Sequence, residues 1–310
     1  MYKYFFKRLL MIIPILLGVA LVIFFILQLT PGDPGTMILG AGGDQAAIDQ
    51  LNEELGYNRP VLERFFTYLY NVVFKLDFGS SYRTRLPVID NIKGRIPVSI
   101  TLAFSTIVFA CVVGIPIGVL SAVKQYSLFD TIPTVISLFL AALPGFWLGM
   151  MLMYFLSLKL GWLPSNGVGS WQHFILPVVS LGLPYAAQEL RFTRSSMLET
   201  IRQDYVRTAR AKGATERIVI WKHALKNALL PVITVTGGNF GVLLGGAVVT
   251  ESLFNIPGLG SLIITSIKIK DVPTVMGATL ILAFIFSLIL LGVDLLYAAV
   301  DPRIKAKYSK

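Results

Sequence analysis

The stretch Leu9–Leu29 reads LLMIIPILLGVALVIFFILQL and carries no charge over its 21 residues. A bilayer's hydrocarbon core, about 30 Å thick, takes roughly 20 apolar residues as helix. A helix satisfies its backbone hydrogen bonds internally, which lipid demands. The run is therefore a membrane span, and it decides the fold class. It follows Lys3, Lys7 and Arg8, as the hydrophobic part of a cleaved leader does. However, it is longer than such a segment and no small-x-small site follows closely. It reads as an uncleaved anchor.

Five more segments obey the same arithmetic: Val98–Leu120, Ile132–Leu156, His173–Gln188, Leu229–Thr250 and Pro273–Val300. The fourth span of the six is the shortest and contains Pro177 and Pro184. The whole chain agrees, with 55% hydrophobic and 14% charged residues and a mean hydropathy of +0.72. Soluble domains carry about 25% charge. A disordered protein, a coiled coil and a disulfide scaffold are excluded. Cys111 is the single cysteine, so no intrachain disulfide forms. Its apolar surroundings make it a small buried hydrophobe.

The net charge of +10 reads as basic cytoplasmic loops rather than as a nucleic-acid surface. With the N-terminus inside, the inner segments hold 17 Lys and Arg, nine of them in 190–228. The two short outer loops hold three. The long outer loop 30–97 holds seven basic and eight acidic residues, and long loops obey the rule poorly. Both termini are expected in the cytoplasm. The expected organisation is an anchor with an external helical loop (1–97), a five-helix core (98–300) and a cytoplasmic tail (301–310).

In the outer loop, Asp44–Leu55 and Pro60–Lys75 have helical patterns. Leu62, Phe65, Phe66, Leu69 and Val73 recur at helical spacing. Packing on the spans is the default use of that stripe; the outer membrane surface and a partner are the others. In the inner loop, Ser196-Met-Leu-Glu199 fits a capping box and suggests a helix start. Asp204–Lys212 is a good helix former, and Gly213 ends it. A second helix follows with Ile218, Trp221, Leu225 and Leu229 on one face. A helix–glycine–helix so organised rests on lipid as an amphipathic element or docks a cytoplasmic partner.

Gly237, Gly241 and Gly245 share one face of the fifth span. Gly114 and Gly118 do so in the second, with Pro116 between them as a kink. Such registers allow close helix approach; they serve ordinary packing first and a sliding, gating interface second. Glu189, Glu251 and Asp294 lie near span ends, where structural pairing is favoured over a proton relay. No P-loop pattern, no His-Glu-x-x-His and no Gly-x-Ser-x-Gly occurs. His173 and His223 fall on opposite sides of the membrane in this topology and share no metal. Transport, a channel or scaffolding remain.

The sequence resembles the membrane-spanning subunit of a type I ABC importer of the peptide/nickel branch, across essentially its whole length. The family's ATPase-docking motif is Glu-Ala-Ala, three residues, then Gly. Here Gly213 anchors it, and Arg207, Thr208 and Ala209 stand at the Glu-Ala-Ala positions. The branch is similar to this variant, Asp204-Tyr-Val-Arg-Thr-Ala-Arg-Ala-Lys-Gly213. The family's later Leu-Pro is altered to Leu225-Lys226, with Leu230-Pro231 further on. Thr30-Pro-Gly-Asp-Pro34, Asp77-Phe-Gly-Ser80, Leu143-Pro-Gly-Phe-Trp147, Thr250-Glu-Ser-Leu-Phe254, Pro257-Gly-Leu-Gly260 and Asp301-Pro-Arg303 resemble the branch too, in order and spacing.

The resemblance implies an all-α polytopic fold of six spans with a coupling helix between the fourth and fifth. It implies a second six-span subunit, usually a paralogue, and two cytoplasmic ATPases that bind ATP and Mg. An extracytoplasmic binding protein would deliver substrate, peptides first and nickel or a metal–chelator complex second. The chain itself is then no enzyme and needs no cofactor. The coupling residues would be Asp204, Tyr205, Arg207, Thr208, Ala209, Arg210, Ala211, Lys212, Gly213 and Ala214. Arg207, Arg210 and Lys212 would meet acidic groups on the ATPase, and Ala209, Ala211 and Gly213 would let the helix seat closely. The rivals are an ATP-independent channel or secondary transporter and a static scaffold. A shortage of mid-membrane charge counts against the first; Gly-rich, Pro-kinked spans count against the second.

Overall fold

The computed structural model describes residues 2–29, 32–40 and 42–300. Thr30, Pro31, the Asp301-Pro-Arg303 motif and the tail 301–310 lie outside the described residues. The helices in chain order are α1 (Tyr2–Gln28), α2 (Pro34–Leu39), α3 (Gln45–Glu54), α4 (Val61–Lys75), α5 (Val88–Lys93), α6 (Ile96–Val123), α7 (Leu128–Ala142) and α8 (Gly145–Leu152). They continue as α9 (Ile175–Ile201), α10 (Asp204–Ala211), α11 (Glu216–Ile218), α12 (Leu225–Gly246), α13 (Val248–Leu253), α14 (Leu259–Lys268) and α15 (Val272–Val300). A π-helical segment, Val219–Ala224, joins α11 to α12.

Among the described residues, four stretches are long and apolar enough to cross a membrane: Phe5–Gln28, Val88–Val123, Glu216–Gly245 and Val272–Leu295. The expected third span is not straight. Leu143 precedes a proline, which drives it from the helical to the extended region, at ψ 133. The helix restarts after Pro144, and the two halves meet at 102°. The expected fourth span is part of the longer α9, 27 residues or about 40 Å at 1.5 Å per residue. Glu189, Arg191, Arg194 and Glu199 along it keep it out of the apolar class. Among the described residues, length and composition alone mark four spans, or five with the bent pair counted as one.

The chain divides into two compact units. One contains residues 7–99 and 257–285. There Asp33 caps α2, accepting from Thr36 N (2.8 Å) and Asn52 Nδ2 (2.6 Å), while Asn52 Oδ1 accepts from Gly35 N (2.7 Å). Asp271, at the start of α15, accepts from Ser81 Oγ, from Tyr82 N (3.0 Å) and from Thr274 Oγ1 (2.8 Å). The expected α4 stripe splits. Phe65 is buried with Ala20, Phe24, Met276 and Leu280, and Leu69 packs against that cluster. Leu62, Phe66 and Val73 are exposed.

The other unit contains, among the described residues, 2–6, 100–256 and 286–300. It stacks four helices through glycines. A side chain at Gly114 would meet Ala186 O at 2.5 Å, and one at Gly118 would meet Leu190 O at 2.6 Å. So α6 and α9 touch backbone to backbone. Glu189, fully buried, lies over Gly114 and accepts from Asn239 Nδ2 of α12 at 3.3 Å. On the far face of α12, Gly237 and Gly241 pack against Val293 and Phe286 of α15. Gly245 has open space around it. The registers serve packing at four of five positions. Pro116 lies on an exposed side of α6, which runs unbroken through it.

Candidate functional site

Helix α10 begins where Gln203 leaves the helical region, at ψ 149, after α9 has ended at Ile201. It ends at Ala211 with Lys212 as its C-cap, and Gly213 follows at φ +79. Gly213 N donates to Arg210 O (2.9 Å) and Ala214 N to Ala209 O (3.3 Å). That is the Schellman pairing, in which a left-handed residue after the helix lets two amides cap the last carbonyls. Nothing lies within 4 Å of a Cβ built on Gly213. Glycine is thus favoured here by backbone conformation rather than by close packing, since other L-residues disfavour that region.

A small apolar cluster holds α10 in place. Val206 and Ala209 are buried with Val119 and Ala122 of α6, Met197 of α9, Val219, Ile220 and Ala224 of the π-helical segment, and Ala228 of α12. Ala214 packs against it. Fully burying an aliphatic side chain such as Val206 contributes roughly 1.5–3 kcal/mol. The buried stripe of the second helix is Val219, Ile220, Ala224 and Ala228. Ile218 and Trp221, expected on one apolar face with Leu225 and Leu229, are about half exposed. The helix also runs from Glu216 into the fifth span without a stop at 229.

The opposite face of α10 is open. Asp204, Tyr205, Arg207, Thr208, Ala211 and Lys212 are exposed. Arg207 sits 3.8 Å from Asp204, a solvent-screened contact of little energetic weight. Arg210 is engaged within the chain: its Nε and Nη2 donate to Glu216 at 2.6 and 3.4 Å. This clasps the two arms of the glycine turn. The cationic groups that the face offers to solvent are therefore Arg207, held only by the exposed Asp204, and Lys212. The capping box expected at Ser196–Glu199 does not form, because α9 passes straight through it. Ser196 Oγ donates instead to Ala228 O at 2.8 Å, tying α9 to α12 beside the cluster.

A second tie escaped the sequence reading. Asp130, in the first turn of α7, is almost fully buried and accepts from Arg194 Nε (2.6 Å) and Nη2 (2.8 Å) of α9. Ser121 Oγ of α6 (2.6 Å), Tyr126 N (3.0 Å) and Thr134 Oγ1 (3.5 Å) also donate to it. These bonds, those from Arg194 foremost, hold the Asp130 carboxyl well below the usual carboxylate range. They raise the Arg194 guanidinium in turn. The pair joins α6, α7 and α9 at the end where α10 is seated. An acid following Ser127 and a lone arginine 64 residues on are too common to have signalled it. His173 makes a local cap, its Nδ1 accepting from Ser170 N at 3.1 Å. Among the described residues no group of three His, Cys, Asp or Glu could hold a metal.

Comparison with known proteins bears on this geometry. Residues 114–306 match the family model described as binding-protein-dependent transport system inner membrane component. Residues 1–103 match the N-terminal model of the membrane component of such systems. The glutathione transport system permease protein GsiC of Escherichia coli strain K12 is 41% identical over 307 residues, covering 99% of this chain and 100% of that protein. GsiC of Pectobacterium atrosepticum matches at the same identity and coverage. Among solved structures, an inward-facing MetNI methionine ABC transporter superposes with a TM-score of 0.56 at 22% identity, over 67% of this chain and 94% of that one. That likeness concerns the fold.

Proposed function

The chain belongs to the family of binding-protein-dependent transport system inner membrane components, the permease subunits of ABC importers, and from that premise we propose how it works. Helix α10 is its coupling helix, and the exposed strip Asp204, Tyr205, Arg207, Thr208, Ala211 and Lys212 is the surface on which a cytoplasmic ATPase docks. The observation that carries this is the division of labour in α10. Its apolar side is locked to α6, α9 and α12, so a push on its open side reaches those helices as a rigid displacement. Arg207 and Lys212 suit charge-assisted bonds to carboxylates. Arg210 and Glu216 keep the turn closed, and Ala214 seals its inner side.

In this reading two permease subunits, this chain and a paralogue, each receive one ATPase. ATP and Mg bind in the ATPases, and their closure moves α10. The spans then switch between two arrangements, a bistable element biased by a ligand bound elsewhere. Substrate arrives from an extracytoplasmic binding protein, and both termini lie in the cytoplasm. The substrate class is small peptides. The relatives' glutathione is a tripeptide, and the described residues offer no ligand cluster for bare nickel.

The test is isolation of the assembly from its native membrane, followed by uptake in proteoliposomes. A second permease and one or two P-loop ATPases should accompany the chain. Uptake of glutathione, dipeptides or longer peptides should require ATP and the binding protein. A chain that comes out alone, or uptake that proceeds without ATP, overturns the coupling reading. Uptake of nickel complexes alone overturns the peptide reading and leaves coupling intact.

A further inference from the structure

Helix α4 has three faces. Phe65 and Leu69 belong to the cluster with α1 and α15. Arg64, Thr67 and Asn71 line a cavity of about 350 Å³. The third face is bare and apolar apart from Glu63 in its first turn, which pairs with Arg59 at 3.2 Å: Leu62, Phe66, Tyr70, Val73 and Phe74 are 55–74% exposed. Five large side chains on one face of a 15-residue helix form a patch of the kind that marks an interaction surface.

We propose that this face lies on the bilayer, so that α4 is an interfacial helix floating at the membrane surface beside the C-terminal end of α1. Four observations select lipid as the occupant. First, α4 is seated on span ends: its cluster joins Phe24 and Leu27, in the last turns of α1, with Val272 and Met276, in the first turns of α15. It therefore sits at the depth where the hydrocarbon stops. Second, its bare face continues the bare face of α1. Phe25 of α1 is exposed and meets Phe65 in a tilted contact at 6.2 Å, and Phe65 meets Phe66 at 5.6 Å. Most of α1 is left uncovered by this chain although it is the most apolar of the spans, so the surface it shares with α4 is the membrane-facing one.

Third, 15 residues make about 22 Å of helix, too short to cross, and Glu63, Arg64, Asn71 and Lys75 forbid burial in hydrocarbon. Fourth, the apolar face is edged as an interface is. The Lys75 ammonium lies 5.5 Å from the Tyr70 ring centroid, with its stem free to cover apolar surface while the charge reaches water. Tyr is the residue favoured at that level. The cavity face, on the other side of the helix, then looks to water. Ring insertion of this sort adds binding in proportion to buried apolar area, and it would fix the angle at which the external segment stands on the membrane. This inference needs only that α1 crosses the bilayer; it does not depend on the coupling assignment of α10.

The experiment uses the full chain in nanodiscs of phosphatidylethanolamine and phosphatidylglycerol, in a Cys111→Ala background. Single nitroxide labels at Leu62→Cys, Phe66→Cys and Val73→Cys are compared with Thr67→Cys and Asn71→Cys. Collision rates with oxygen, which enriches in lipid, and with a water-soluble nickel chelate are measured by electron paramagnetic resonance. At 62, 66 and 73 oxygen should dominate, and at 67 and 71 the ratio should reverse. Nickel contact at 66 and 73 equal to that at 67 and 71 would overturn the proposal, because the face would be in water. Protection of 62, 66 and 73 from both probes would also overturn it, because protein would cover the face. A lipid-partitioning carbene photoprobe on the unsubstituted chain gives an independent reading. Labelling of Phe66, Tyr70 or Val73 supports the proposal, and labelling of α1 without α4 contradicts it.

Discussion

Gly213 separates two explanations of a coupling turn, and its substitution can be worked through from the backbone. The residue stands at φ +79 with open space where a side chain would go. A contact account, in which glycine allows something to approach closely, makes every substitution harmful in proportion to size. The conformational account makes the cost depend on tolerance of the left-handed region. There an L-residue costs about 1–2 kcal/mol, and Asn, which bonds locally, costs less. A β-branched residue is the worst case. A penalty of 1–2 kcal/mol is a factor of roughly 5–30 in a local equilibrium. The amide of Ala214, bonded to Ala209 O at 3.3 Å, reports it directly through hydrogen exchange of the opened turn. Gly213→Ala should speed its exchange roughly 5–30-fold by that arithmetic, Gly213→Val more, and Gly213→Asn least. Exchange within α12 should stay unchanged. ATP-driven uptake should fall in the order Asn, Ala, Val. Asn as damaging as Val, or an Ala214 amide as protected in Gly213→Val as before, would refute a conformational role for Gly213.

Other substitutions follow from the same geometry. Asp130→Ala strands a guanidinium that keeps a quarter of its side chain in solvent. Its cost should be about 2–4 kcal/mol, under the 3–5 of a wholly buried pair, read as a lowered thermal midpoint in detergent. The folded-state carboxyl is depressed, so its stabilisation is complete above the unfolded value near 3.9 and is lost as pH falls toward the folded value. Below about pH 4 the wild-type midpoint should drop more steeply than that of Asp130→Asn; equal slopes would dismiss the pair. Gly118→Val forces apart two backbones and should prevent stable insertion, measured as loss of protein from membranes. Gly245→Ala meets nothing and should be neutral or stabilise the isolated chain by about 0.5–1 kcal/mol. Asp271→Ala leaves Ser81, Tyr82 and Thr274 without their shared acceptor and should cost about 1–3 kcal/mol, seen as faster proteolysis around residues 79–87. Unchanged cleavage would mean that this carboxylate does not pin the loop.

The legible parts of the chain were those decided locally. The apolar runs of α1, α6, α12 and α15 announce themselves by length. Asp204–Gly213 announces itself by a helix former ended by glycine, and α3 and α4 by their spacing. What sequence could not weigh is competition from distant contacts. Ser196–Glu199 has the pattern of a helix start, yet α9 continues because Ser196 finds Ala228 across the cluster. Leu143-Pro144 was visible as a motif, but whether a proline bends a span or ends it depends on what each half packs against. Arg194 looked like one more loop cation until folding brought Asp130 to it. The apolar face Ile218, Trp221, Leu225 and Leu229 does not coincide with the buried stripe, because Ile and Trp outweigh Ala on hydrophobicity scales, whereas the tight site beside α10 admits Ala224 and Ala228. The gathering of 257–285 with 7–99 spans most of the chain length and has no local signature.

The central claim is that the open face of α10 meets an ATPase. A photocrosslinking amino acid placed at Thr208, activated in native membranes and followed by mass spectrometry, tests it most directly. The account predicts a crosslink to a polypeptide carrying a P-loop, and none from the same group placed at Ala103, which is buried within the fold. A crosslink from Thr208 to lipid alone, or to a protein without a nucleotide site, would contradict it.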